Sequence, residues 1–324
     1  MSFTLIGNHE TDKRANRDGY ISAMLDLMKE NKNIVHIDCD LMGCINAGKL
    51  AKEFPQQTFN AGIAEQNAVG VAAGMAATGM IAYVHSFGCF AARRCFDQAF
   101  LSAGYSKLPV HIIGSDPGVT AAFNGATHMP FEDAALYMTA PDAVVIDSCD
   151  YVQTKSLTGK LAAFPGLSYM RVIREGFKTI YGDGSEFEIG KGVTLKDGTD
   201  VTVIASGILL DEALKAEEIL REEGISARVI DMHTWKPLDE ELVLKAAEET
   251  GCIVTAENHQ VSCGLGSAVS NVLTANHPVP LERVGIQERF GQVGPQDFLM
   301  GEYKMCIRDS SMCYRRCVHV RWCW

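Results

Sequence analysis

Asn60-Ala-Gly-Ile-Ala-Glu65-Gln66-Asn67 follows a short strand-like run and opens an apolar helical pattern over 64–78, so a single carboxylate, Glu65, is set in the first turn of a helix. Negative charge there suits a helix N-terminus in its own right. A carboxylate in that place can also act on a molecule docked against the strand ends, where α/β sheets bind ligands. Working outward, short β-branched runs at 34–38, 80–85, 109–115, 143–147 and 167–172 alternate with helical patterns at 15–30, 64–78, 91–104, 130–139 and 150–161. Such alternation predicts a parallel sheet covered on both faces. Glu65, Phe87, Ser115 and the 116–128 loop then all follow strand ends.

Between 176 and 199 the chain turns polar and Gly-rich, with Gly176, Gly182, Gly184, Gly190, Gly192 and Gly198, and reads as an interdomain crossover. A second alternating unit follows: strands at 201–205, 227–230, 252–257 and 281–285, helices at 209–223, 239–249 and 266–275. The fold class expected is therefore two doubly wound α/β domains, 1–175 and a smaller one at 200–303. Residues 304–324 change abruptly to Cys, Arg and Trp. They are expected to be non-native sequence or a disordered tail, since Cys306, Cys313, Cys317, His319 and Cys323 match no common zinc spacing.

Net charge is −11 over 324 residues, and the last 21 carry five basic groups against Asp309, leaving −15 for the rest. That acidity argues against a nucleic-acid or anionic-lipid partner. No apolar run approaches the ~18 residues that span a bilayer, and the first thirty residues are charged, which points to a cytoplasmic protein with no membrane role. The seven cysteines before residue 304 are scattered beside apolar segments without a CxxC pair, as reduced core thiols are.

Four features beside the Glu65 segment carry candidate chemistry: His85-Ser86-Phe87-Gly88-Cys89-Phe90, the Arg93-Arg94 step, Asn124-Gly125-Ala126-Thr127-His128, and Tyr169-Met170-Arg171-Val172. Read as residues alone, the two phenylalanines fit core packing, His128 a loop surface, and Arg171 a solvated or ion-paired guanidinium. Taken together with Asp231-Met232-His233-Thr234-Trp235-Lys236-Pro237-Leu238 and Glu257-Asn258-His259-Gln260, these strings resemble the transketolase family over roughly residues 10 to 303. More narrowly, the chain resembles the C-terminal-half subunit of a split transketolase, a pyrimidine-binding domain followed by a transketolase C-terminal domain.

The resemblance implies thiamine diphosphate and Mg²⁺ as cofactors and transfer of a two-carbon ketol unit between a ketose and an aldose. It implies that Glu65 bonds the aminopyrimidine ring, that Phe87 and Phe90 form its aromatic wall, and that His128 contacts the substrate and transfers a proton. Asn124, Asp116 and Arg171 fall at substrate-binding positions. Asn124 stands where transketolases commonly carry Asp, and Met129 where they carry Gln. Asp116 stands where sugar-phosphate transketolases carry a phosphate-contacting His, whereas Arg171 matches a phosphate-binding Arg, so the implication for a phosphorylated substrate is divided. Gly182-Asp183-Gly184 lacks the Asn pair that completes the diphosphate motif and reads as a turn; Gly264-Leu265-Gly266 is a lone GxG. The metal ligands are accordingly expected on an N-terminal-half partner subunit, in a heterotetramer built on a homodimer. A 2-oxo acid dehydrogenase β subunit, a 1-deoxyxylulose-5-phosphate synthase-like enzyme and a non-catalytic scaffold remain as alternatives. His233 and His259 are expected to be structural.

Overall fold

The computed structural model describes residues 2–305; from residue 306 on, the expected tail lies outside them. The first unit runs α1 (Asn16–Glu30), β1 (Ile34–Asp38), α2 (Met42–Ile45), α3 (Gly48–Glu53), β2 (Thr58–Asn60), α4 (Glu65–Ala77) and β3 (Ile81–Phe87). Next come two wide π-turned segments, Phe90–Arg94 and Ala99–Tyr105, on either side of α5 (Phe96–Gln98), where the sequence predicts one regular helix. The unit continues through β4 (Val110–Ser115), α6 (Asp133–Met138), β5 (Val144–Asp147), α7 (Tyr151–Leu161) and β6 (Ser168–Val172). β7 (Val193–Lys196), β8 (Val201–Ala205), α8 (Leu209–Glu222), β9 (Ala227–Asp231), β10 (Thr234–Lys236), α9 (Glu240–Thr250), β11 (Ile253–Gln260), α10 (Leu265–Asn276), β12 (Leu281–Ile286) and α11 (Gln296–Glu302) follow.

One sheet has the order β10-β5-β6-β4-β3-β1-β2 and the other β12-β11-β8-β9-β7. Each is parallel apart from one antiparallel edge strand, β10 in the first and β7 in the second. Strands buried on both faces read as continuous apolar runs, which is why the parallel strands are visible in the sequence. The first sheet packs Tyr20, Met24 and Leu157 of α1 and α7 on one face, and Ala68, Val69 and Ala72 of α4 on the other.

Two strands fall outside the predicted pattern: β7 joins the edge of the second sheet beside β9, and β10 crosses to the first. β7 lies within the expected crossover, and residues 2–11 bridge antiparallel to 178–186 at Ser2↔Glu186, Leu5↔Tyr181 and Thr11↔Lys178. The glycines of that segment hide Ile180, Tyr181 and Phe187, all buried. β10 leaves the second unit to pair with β5, Thr234 opposite Ile146, and thereby extends the first sheet.

Candidate active site

Strand alternation distributes the site's side chains. Along β3, Ser86 faces α4 whereas its neighbour Phe87 turns to the opposite side of the sheet. The Ser86 hydroxyl donates to Glu65 Oε1 at 2.9 Å, and Arg94 donates to Glu65 Oε2 at 2.8 Å. Glu65 is 2% exposed, so this carboxylate is held in a nearly dry place by one hydroxyl and one cation. Arg94 also stacks over the Phe90 ring, 4.1 Å from its centroid. The wide π-turn of Phe90–Arg94 sets Arg94 four residues after Phe90 with its guanidinium folded back over that ring.

From Phe90 the contacts continue. His128 meets both aromatic rings edge-on, at 5.1 Å from Phe90 and 5.5 Å from Phe87. Thr127 Oγ1 lies 2.9 Å from His128 Nδ1, which leaves Nε2 directed elsewhere. Beyond Phe87 lies Arg174, its guanidinium carbon 5.1 Å from the ring centroid, and Arg174 NH2 donates to Asp116 Oδ2. Glu65, Arg94, Phe90, His128, Phe87, Arg174 and Asp116 thus form one unbroken chain of contacts along the carboxyl ends of the sheet. Asn124 sits on the same loop as His128 and is exposed.

This loop is held from the second unit. Asn258 accepts from the Val119 N–H at 3.0 Å and donates to the Pro117 carbonyl at 2.9 Å. Gly118, at φ +55°, lets the amide pass: a Cβ there would lie 2.1 Å from Asn258 Oδ1. The backbone is strained nearby, at Ala122 (φ 44°, ψ −112°) and at Asp116 (φ 57°).

Arg171 does not belong to this site, contrary to the sequence expectation. It is fully buried, its Nε and NH2 donating to Asp133 at 2.9 and 3.2 Å and its NH2 also to the Asn258 carbonyl at 3.0 Å. Asp147 lies 3.4 Å from NH1. Alternation explains the error: Arg171 is inside β6, pointing into the seam between the units, whereas Arg174 lies past the strand end and turns to the cleft. Burial raises the Asp133 carboxyl, but the charge of Arg171, then His259 and the hydrogen bonds from Tyr169 and Arg171, outweigh it and hold Asp133 below the ordinary range. Asp116 behaves oppositely: burial pushes it up to about 6 against the pull of Arg174. Arg174 had a sequence signal, being the basic residue just after a strand end.

The remaining sequence features resolve locally. His259 and His233 are buried, with His259 edge-on to Trp235 at 5.4 Å. Gly182-Asp183-Gly184 is a turn in which the Ser185 N–H bonds the Gly182 carbonyl. At Gly264-Leu265-Gly266 the helix N-terminus is filled by the chain's own Glu257, which accepts from the Leu265 and Gly266 amides at 2.8 Å each. No group of three or more His, Cys, Asp or Glu among the described residues could hold a metal ion, and no helix among them is long and apolar enough to cross a membrane.

With this geometry in place, residues 12–177 match the transketolase pyrimidine binding domain and residues 190–306 the transketolase C-terminal domain. Over 293 residues the chain is 42% identical to the 6-deoxy-6-sulfo-D-fructose transketolase subunit SqwH of Clostridium sp. (strain MSTE9), spanning 90% of this chain and 91% of that one. It is 41% identical over 273 residues to an apulose-4-phosphate transketolase subunit of Phocaeicola vulgatus, spanning 84% of this chain and 87% of that one. A solved structure described as a split gene transketolase, inactive beta4 tetramer, superposes with a TM-score of 0.87 at 39% identity, covering 94% of this chain and 98% of that chain.

Proposed function

Because the chain belongs to the transketolase family, we propose that it is the half of a two-subunit transketolase that holds the pyrimidine ring of thiamine diphosphate and carries ketol transfer from a ketose to an aldose. The observation that carries this reading is the contact chain from Glu65 through Arg94, Phe90 and His128 to Phe87. A nearly dry carboxylate tied through one guanidinium to an aromatic wall fits a flat heterocycle that needs one proton-sharing partner. The fit extends to the ring alone. The one GDG string is a turn, so the reading assigns the diphosphate and Mg²⁺ to an N-terminal-half partner subunit.

When bound, thiamine diphosphate supplies the nucleophilic carbon and the electron sink for breaking the ketose carbon–carbon bond. Glu65 shares a proton with a ring nitrogen, and Ser86 and Arg94 fix the orientation of its two oxygens. Phe87 and Phe90 pack the ring and exclude water. His128, steadied through Nδ1 by Thr127, moves a proton at the substrate hydroxyl through Nε2. Asn124, exposed on the His128 loop, and Asp116, beside Arg174, are the groups this reading assigns to substrate hydroxyls. The solved relative's description as an inactive beta4 tetramer of a split gene transketolase supports a site that a second polypeptide completes.

The test is to titrate thiamine diphosphate with Mg²⁺ into the chain alone and into the chain mixed with its partner, and to assay ketol transfer in both. Ring stacking and one hydrogen bond give a few kcal/mol at most against association costs of about 4 or more, so the lone chain should bind in the millimolar range or weaker. Turnover should appear only in the mixture. Micromolar binding or turnover by the chain alone would sink the reading, and binding without turnover in the mixture would favour a scaffold.

A further inference from the structure

The guanidinium that faces this cleft is already answered. Arg174 is 25% exposed at its side chain and stands over Phe87. Its NH2 donates to Asp116 Oδ2, and its Nε is buried without a partner. Asp116 is 2% exposed and sits immediately after β4, at the carboxyl edge of the sheet. Among the described residues no donor reaches its second oxygen, Oδ1. Glu175 and Arg17 of α1 also act on it electrostatically, with opposite signs, after burial and Arg174.

A phosphate monoester carries close to two negative charges at neutral pH and seeks a free fork of donors. Here the fork is occupied by a carboxylate from the same chain, and a dianion entering beside it meets that like charge in a poorly solvated place. A sugar hydroxyl meets no such conflict. It can donate to the unpartnered Oδ1 while Arg174 stays paired. Resting on the ketol-transfer reading above, we infer that Asp116 sets the substrate class of the site: with Arg174 neutralised by it, the cleft takes sugars whose distal end is an uncharged hydroxyl and turns away those ending in phosphate.

Asp116→Asn is the discriminating variant. It keeps the volume, removes the charge, and retains a residue that tolerates the left-handed backbone of this position. Asp116→Gly is the second variant, since glycine accepts the same φ without strain. Inorganic phosphate titrated calorimetrically into the full chain with its partner should give no binding in the millimolar range for the wild type and about tenfold tighter binding, or more, in both variants. Adding Arg174→Gln to Asp116→Asn should remove that gain. In turnover, kcat/KM for a phosphorylated ketose relative to its unphosphorylated counterpart should rise by about tenfold or more in Asp116→Asn. Phosphate binding by the wild type as tight as by the variants, or an unchanged kcat/KM ratio, overturns the inference. If no ketose is turned over by any pairing, the ketol-transfer reading fails, and the phosphate titration still decides the role of Asp116.

Discussion

Two arginines three residues apart divide this molecule into a sealed region and an open one. Arg171 lies in the seam between the two sheets, where Asp133, Asp147 and the Asn258 carbonyl surround it and leave it no exposure. Arg174 lies at the cleft, partly exposed, with a single acceptor, a buried Nε that has no partner, and a carboxylate partner on left-handed backbone. Each guanidinium keeps one buried nitrogen without a hydrogen bond, NH1 of Arg171 and Nε of Arg174, so the contrast lies in exposure and backbone. The seam surrounds its cation with acceptors, as a buried charge requires, whereas the cleft leaves its cation partly exposed with one acceptor on strained backbone. Asn258 spans both regions: its carbonyl accepts from Arg171 and its side chain holds the loop that carries Asp116 and His128.

The largest effect is expected at the cleft, from Glu65→Gln. Near-equal volume keeps the packing, but the proton-sharing carboxylate is gone. Turnover with the partner subunit should fall by about 10²–10⁴-fold, the range of general acid–base contributions, with an unchanged thermal midpoint. Wild-type turnover by the folded variant would remove Glu65 from the chemistry.

At the seam, Arg171→Met should act on stability in place of specificity. It leaves Asp133 and Asp147 buried without their cation, a loss of about 3–5 kcal/mol in denaturant unfolding. A variant that keeps its stability but loses affinity for an anionic substrate would return Arg171 to the binding site.

The smallest expected effect sharpens the contrast by pH. Asp133, held below its ordinary range, contributes stability that is present above the unfolded value and is lost as pH falls. Asp116, pushed up to about 6 from 3.8, has the opposite sign: the folded state keeps its proton longer, so stability is lost as pH rises from about 4 to 6. Asp116→Asn should therefore gain on the wild type by about 1–3 kcal/mol between pH 4 and 7. Equal pH dependence of the two proteins would show that Asp116 is not buried as a charge.

Much of this was legible in the residue order. Parallel strands buried on both faces read as apolar runs, and a carboxylate opening an apolar helix after a strand marked Glu65 at the cleft edge. Phe87, Phe90 and His128 stood in strings that turned out to touch one another. What the order hid was pairing at a distance. β7 and β10 are short edge strands whose partners lie in segments that the pattern assigns elsewhere, and Ile180, Tyr181 and Phe187 are buried inside a segment whose glycines read as linker.

The sequence alone therefore determined the two α/β units and the residue types of the site, because periodicity and motif are local properties of a chain. The tertiary structure alone decided which arginine faces the cleft, which carboxylate pairs with it, and that Asn258 of the second unit holds the loop of the first. Those outcomes depend on which side of a strand each residue leaves and on what the opposite unit brings to meet it. No stretch of neighbouring residues contains that information.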